Sequence, residues 1–216
     1  MKGEIASRLM LWWQGARRGF PWRERRDPYS VLIAEVLLHR TRAEQVVPVY
    51  TEFLRRYPDI PALAAALPGE VVKILRPLGL RWRALLLHRM AQAIAERTGG
   101  EILPDRDWLT SLPGVGDYIA SAVRCFAFNL PEPVLDTNTV RITGRFFGVR
   151  ITDASRRSRR FRELFLLLMN GSNPREFNLA MIDLGALVCR PVSPVCGQCP
   201  LAEECFWHRE GRYRDD

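Results

Sequence analysis

The chain has 216 residues, 47% of them apolar, and its 32 basic against 24 acidic side chains leave a formal net charge of +8. That apolar content builds a folded core and excludes a disordered or fibrous chain, while the basic balance favours a polyanionic partner, nucleic acid first. The apolar runs at 31–38 and 164–169 fall well short of the roughly 20 residues needed to span a bilayer. No signal-like apolar stretch follows Met1-Lys2 either, so a protein of the prokaryotic cytoplasm, without membrane contact and acting at the nucleoid, is expected.

Apolar residues recur at helical spacing in successive segments: 5–13, 29–38, 46–54, 71–75, 82–94, 118–128, 140–147, 161–169 and 177–188. Turn signals divide them at Asp27-Pro28, Tyr57-Pro58, Leu67-Pro68-Gly69, Thr98-Gly99-Gly100, Pro113-Gly114, Pro131-Glu132-Pro133 and Gly171-Ser172-Asn173-Pro174. No alternating strand pattern interrupts the series and no internal repeat is visible. The reading is an all-α fold of roughly ten helices joined by short loops.

Between the short segment 107–111 and the helix beginning near Asp117 lies Leu112-Pro-Gly-Val-Gly116. Glycines there permit close approach of backbone. The N–H groups of Gly114, Val115 and Gly116, with those of the following helix start, are placed to meet a DNA phosphate without reading sequence. An ordinary helical turn also uses Gly and Pro, so this motif gains weight only from its neighbours.

Four of the five cysteines fall near the C-terminus as Cys189-x6-Cys196-x2-Cys199-x5-Cys205, while Cys125 stands alone in an apolar segment and reads as core. In a reducing compartment this is a metal-ligand arrangement, either tetrahedral zinc or an iron-sulfur cluster. With a single short Cys-x2-Cys pair, thiolate ligation of an iron-sulfur cluster suits the spacing better than zinc. His88 and His208 lack any partner pattern and read as surface or packing residues.

Taken in order, Leu112-Pro-Gly-Val-Gly-Asp-Tyr118, Val134-Leu-Asp136-Thr-Asn138, Phe177-Asn-Leu-Ala-Met-Ile-Asp-Leu-Gly185 and the four cysteines resemble the endonuclease III superfamily of DNA glycosylases, from about residue 20 to residue 205. Within that superfamily, Phe20-Pro-Trp-Arg23, Asp27-Pro-Tyr29 and Glu35-Val-Leu-Leu-His-Arg-Thr41 are similar to the G/T-mismatch thymine glycosylases and the A/G-mismatch adenine glycosylases. The resemblance implies a six-helix barrel domain over 26–132, carrying a helix-hairpin-helix at 107–128. It also implies a helical iron-sulfur domain made from 1–25 and 133–216, with a 4Fe-4S cluster on Cys189, Cys196, Cys199 and Cys205. Mismatched double-stranded DNA would bind in the cleft between the domains of a monomer, and the target base would be flipped out.

Asp136 follows the hairpin helix across a Pro-containing stretch long enough to bring its carboxylate back to the hairpin mouth, and it also suits the N-cap of the helix starting at Thr137. The resemblance assigns it catalysis, in which a carboxylate stabilises an oxocarbenium ion, activates water or bonds to the sugar. Glu35 is the only ionisable residue of 31–38; burial would favour its protonated form and fit it as a general acid or a water orienter. Tyr118 stands where bifunctional members carry the Schiff-base lysine, so base hydrolysis without strand cleavage is expected, with the ring against the extruded nucleotide. His39, Arg40 and Thr41 fall where relatives fill the vacated stack, and Arg40 could offer two donors to an orphan guanine.

The expected activity is therefore removal of thymine, and uracil, opposite guanine. Tyr118, the His39-Arg40 pair and the short tail after the cysteines favour it. Adenine excision opposite guanine or oxidised guanine is the alternative, and a non-catalytic DNA-binding or redox protein on the same scaffold is a third reading.

Overall fold

The computed structural model describes residues 2–79 and 81–214. Among the described residues the regular structure is wholly helical, in thirteen α-helices with three short 3-10 turns. In chain order they are α1 (Lys2–Ala16), α2 (Pro21–Glu24), α3 (Pro28–Leu38), α4 (Ala43–Arg56), α5 (Ile60–Ala64), α6 (Pro68–Leu75) and α7 (Arg81–Thr98). Then follow α8 (Arg106–Thr110), α9 (Asp117–Phe126), α10 (Thr137–Phe147), α11 (Arg159–Met169), α12 (Pro174–Leu187) and α13 (Phe206–Glu210). The all-helical reading holds, and the helices outnumber the ten expected. Helices α2, α5 and α13 have only four or five residues, too few to show a 3.6-residue period. None of the described helices is long and apolar enough to cross a membrane.

The chain divides into two compact units, one of Gly19–Phe128 and one of Met1–Arg18 with Asn129–Asp216. The centre of the first is α3, whose residues from Tyr29 to Leu37 are all buried. A helix apolar on every side must be enclosed on every side, and α2, α4, α7 and α9 all pack against it. Its start is fixed locally. Asp27 caps it by accepting from the Ser30 amide at 2.8 Å, and Pro28 occupies the first turn, where its missing N–H costs nothing. Tyr29 then donates to the Tyr57 carbonyl at 2.7 Å and Tyr50 to the Ser30 carbonyl at 3.3 Å, so both hydroxyls entering this core are satisfied. His88 belongs to packing, its Nε2 lying 2.9 Å from the Ala66 carbonyl oxygen. Cys125 is likewise wholly buried.

In the second unit α12 lies against α1 and α10. Two polar side chains of α12 with no solvent exposure do the joining. Asp183 accepts from Trp13 Nε1 at 2.8 Å and from Arg18 Nε at 2.6 Å, which ties the N-terminal segment to the C-terminal part of the chain. Asn178 accepts from the Val134 amide at 2.8 Å and donates to the carbonyls of Glu132 and Pro174, at 3.0 and 2.9 Å. Residues 132–134, lacking a helix or strand to satisfy them, are pinned in this way to α12. Gly185 lets α10 approach closely, since a Cβ there would stand 2.4 Å from the Cβ of Asn138.

Candidate active site

In the first unit, Glu35 lies in the wholly buried middle of α3, with 6% of its surface exposed. It is not a solvated glutamate on an open helix face. Helix α3 ends at Leu38, and the next residues make a tight turn closed by the Thr41 amide donating to the Leu38 carbonyl at 3.1 Å. Arg40 takes a left-handed backbone there, with φ of 61°, a conformation that non-glycine residues seldom adopt. His39 and Arg40 are exposed and Thr41 is half-buried.

The hairpin joins α8 to α9 through Ser111–Gly116. Gly114 has φ of 80°, and a Cβ at this position would sit 1.9 Å from a methyl carbon of Leu86, so both the backbone angle and the close packing call for glycine. Val115 has its side chain buried and its amide donating to the Leu112 carbonyl at 3.1 Å, so this expected phosphate donor is instead spent on closing the hairpin turn. Gly116 caps α9 in an extended conformation with no side-chain cap bond. The first-turn amides of α9 are thus offered outward with the positive end of the helix dipole behind them. Tyr118, at the second position of α9, is half-buried.

In the other unit, Asp136 is the N-cap of α10 and forms a reciprocal capping box. Its Oδ1 accepts from the Thr139 amide at 2.7 Å, and its own amide donates to Thr139 Oγ1 at 2.8 Å. Oδ2 accepts from Asn138 Nδ2 at 3.0 Å. The carboxylate is half-buried and fixed through both oxygens. Asn138 is fixed in turn, its Oδ1 accepting from Arg141 Nη2 at 2.9 Å. Arg141 also donates to the Gly185 carbonyl and, through Nε, to the Cys189 carbonyl, both at 2.8 Å. Burial lowers the pKa of this guanidinium, opposed in part by the Cys189 and Asp136 charges. A continuous hydrogen-bonded chain therefore runs from the Asp136 carboxylate to the backbone of the first cysteine.

The four cysteines expected to act together line one cavity, with Val188, Ala202 and Trp207 among its other walls. None is in a disulfide. Arg145, on the buried face of α10, lies 3.4 Å from Cys189 Sγ, donates to the carbonyls of Arg190 and Pro191, and holds its guanidinium 5.2 Å from the Trp207 ring centre. Burial pushes the Cys199 thiol up to about 12 and raises that of Cys205. Among the described residues no three His, Cys, Asp or Glu side chains are placed to hold a metal ion. Four thiols lining one cavity are a donor set of the kind that iron-sulfur clusters and zinc both take. Exposed His208 borders the same cavity, a position its sequence context did not suggest.

Three residues of these sites escaped sequence reasoning: Asn138, Arg141 and Arg145. Asn138 sat inside a recognised motif without a role. The available signal was a pair of arginines spaced i, i+4 on a helix whose other buried positions carry no charge.

A glycine hairpin opening a helix without a side-chain cap, an aspartate that caps α10 and is held through both oxygens, and four cysteines on one cavity in an all-helical chain are the features expected of a helix-hairpin-helix protein. Residues 33–165 match the model of the HhH-GPD superfamily base excision DNA repair proteins, and the chain belongs to that superfamily. It is 40% identical to a thymine/uracil-DNA glycosylase of Pyrobaculum aerophilum, over 94% of this chain and 90% of that one. It is 38% identical to an adenine DNA glycosylase of Mycobacterium tuberculosis, over 94% of this chain and 67% of that one. Among solved structures it resembles a thermostable thymine-DNA glycosylase, with TM-score 0.88 and 32% identity over 97% of each chain. It also resembles endonuclease III trapped covalently on DNA, with TM-score 0.81 and 25% identity over 98% of each chain.

Proposed function

We propose that this DNA glycosylase hydrolyses the N-glycosidic bond of thymine, and of uracil, mispaired with guanine in double-stranded DNA, and that it acts as a monomer without cutting the strand. The observation that carries this reading is the doubly held Asp136 carboxylate in a chain whose hairpin helix offers Tyr118, not an amine. Departure of the base leaves positive charge on the sugar, and a carboxylate already fixed by Thr139 and Asn138 meets that charge without reorganising. Water adds its hydroxyl to the sugar C1′, the bond to the base breaks with its electron pair on the base nitrogen, and a proton ends on the released base. Buried Glu35 is suited to deliver that proton or to orient the water. Tyr118 cannot form an imine, so the sugar is left as an intact abasic site. The amides of Gly114 and Gly116, with those of the first turn of α9, grip a backbone phosphate. His39, Arg40 and Thr41 fill the vacated stack and touch the orphan guanine.

Thymine as the substrate is supported by the likeness to thymine and thymine/uracil glycosylases over nearly the whole chain. Adenine excision is the second reading, favoured by the 38% identity to an adenine glycosylase. The test is a duplex with one thymine opposite guanine. Free thymine should appear, the strand should break only after alkali, and borohydride should trap no covalent adduct. A trapped adduct or a nick without alkali contradicts the assignment.

Cys189, Cys196, Cys199 and Cys205 fit a 4Fe-4S cluster and would hold it. When bound, the group ties the C-terminal loop together through iron–thiolate bonds. Protein purified without oxygen should be brown and contain iron and acid-labile sulfide, and Cys199→Ser should lose both and melt at a lower temperature. Stoichiometric zinc with no sulfide would overturn the cluster.

A further inference from the structure

We infer that Arg83, a residue of α7, sets how this enzyme reads the base opposite its target, by holding the turn from His39 to Thr41. The inference rests on the proposed mispair-excision reading and adds a positioning residue to it. Arg83 has 2% of its surface exposed, and among the described residues no carboxylate pairs with it. A buried cation without an anion has to find its compensation in dipoles. Nη1 donates to the Leu37 carbonyl at 3.2 Å and lies 3.5 Å from Thr41 Oγ1, and Nη2 donates to the His39 carbonyl. All three acceptors belong to the end of α3 or to the turn that leaves it, where the helix dipole also favours positive charge. Trp82 flanks the guanidinium, its ring centre 5.4 Å away.

The grip falls on both sides of Arg40. His39 O precedes it and Thr41 Oγ1 follows it, so a single planar guanidinium fixes the backbone around a residue with φ of 61°. A left-handed arginine persists only where its surroundings impose the conformation. That conformation sets the direction in which the exposed Arg40 side chain leaves the turn. Lysine would keep the charge and lose the fork that addresses separate acceptors from separate nitrogens. The geometry therefore assigns Arg83 to the precision of the turn as well as to the stability of α3.

The experiment compares wild type, Arg83→Lys and Arg83→Met by single-turnover excision of uracil opposite guanine and of uracil opposite a sugar without a base. In both variants the ratio of the two rates should fall at least tenfold, with lysine failing to restore it, and amide exchange should quicken at residues 38–42. A ratio held within twofold in Arg83→Lys, where the fold is best retained, overturns the inference, and so does an equal loss on both duplexes. The wild type tests the underlying reading separately. Should it process only adenine opposite guanine, the thymine assignment falls, and the Arg83 ratio is then read on adenine opposite guanine against adenine opposite the baseless sugar, with the same two outcomes.

Discussion

Asp136→Asn should lower the single-turnover rate of base release on the order of 10³-fold, the scale of losing one preorganised electrostatic partner of a transition state. Duplex binding should stay within a few-fold of wild type. The separation follows from the geometry of the N-cap. Asparagine caps helices as well as aspartate does, so its oxygen still accepts from the Thr139 amide and α10 still begins in place. At the other oxygen an amide NH2 would face Asn138 Nδ2, donor against donor, at a cost of about 1 kcal/mol locally. The negative charge is the principal loss, and it serves the cationic sugar of the transition state far more than it serves neutral substrate. The measurement is a rate at saturating enzyme beside a binding isotherm on the same duplex. Parallel loss of binding and rate would make Asp136 a structural cap and no more.

The second large effect concerns folding. Asp183→Ala should destabilise the protein by about 2–4 kcal/mol, since it strands a buried indole N–H and breaks an ion pair buried on one side only, and lower the melting temperature on the order of 10 °C. Asp183 has no solvent exposure, and its two oxygens hold Trp13 Nε1 and Arg18 Nε. Alanine leaves the buried indole N–H without that acceptor and unfastens the N-terminal segment from α12. Asp183→Asn, which keeps one acceptor oxygen, should fall between. Thermal melting followed by circular dichroism decides it, and a shift of 2 °C or less in the alanine variant would contradict the role given to Asp183.

The helices were legible wherever the apolar period ran for two turns or more, and the cap of Asp136 could be read from residue type and position, whereas Asp27 read as a turn and proved to be a cap as well. Glu35 was legible as an anomaly, one carboxylate in a continuous apolar run, and burial of the whole of α3 gave the anomaly its meaning. The cysteine spacing announced a shared site, and their side chains line one cavity. Short helices were not legible, because four or five residues show no period. Nor were the arginines that organise the sites. In a chain with 32 basic residues, a charge pattern cannot distinguish buried Arg83 and Arg145 from solvated arginines on a helix surface. Only their acceptors do so, and those are carbonyls distant in sequence: His39 for Arg83, Arg190 and Pro191 for Arg145. The motif from Phe177 to Gly185 carried a resemblance before it had a physical explanation. The structure supplies one, since Asn178 pins the strand of chain leading to Asp136, Asp183 anchors α1, and Gly185 makes room for Asn138.

The base that the enzyme removes is decided by comparing four duplexes side by side. Equal concentrations of duplexes carrying thymine opposite guanine, uracil opposite guanine, adenine opposite guanine and adenine opposite oxidised guanine are incubated with excess enzyme, and alkali-labile sites are counted against time. Uracil and thymine opposite guanine should be released rapidly, and either adenine at least a hundredfold more slowly. Rapid release of adenine with both guanine mispairs of thymine and uracil left intact would contradict the thymine assignment.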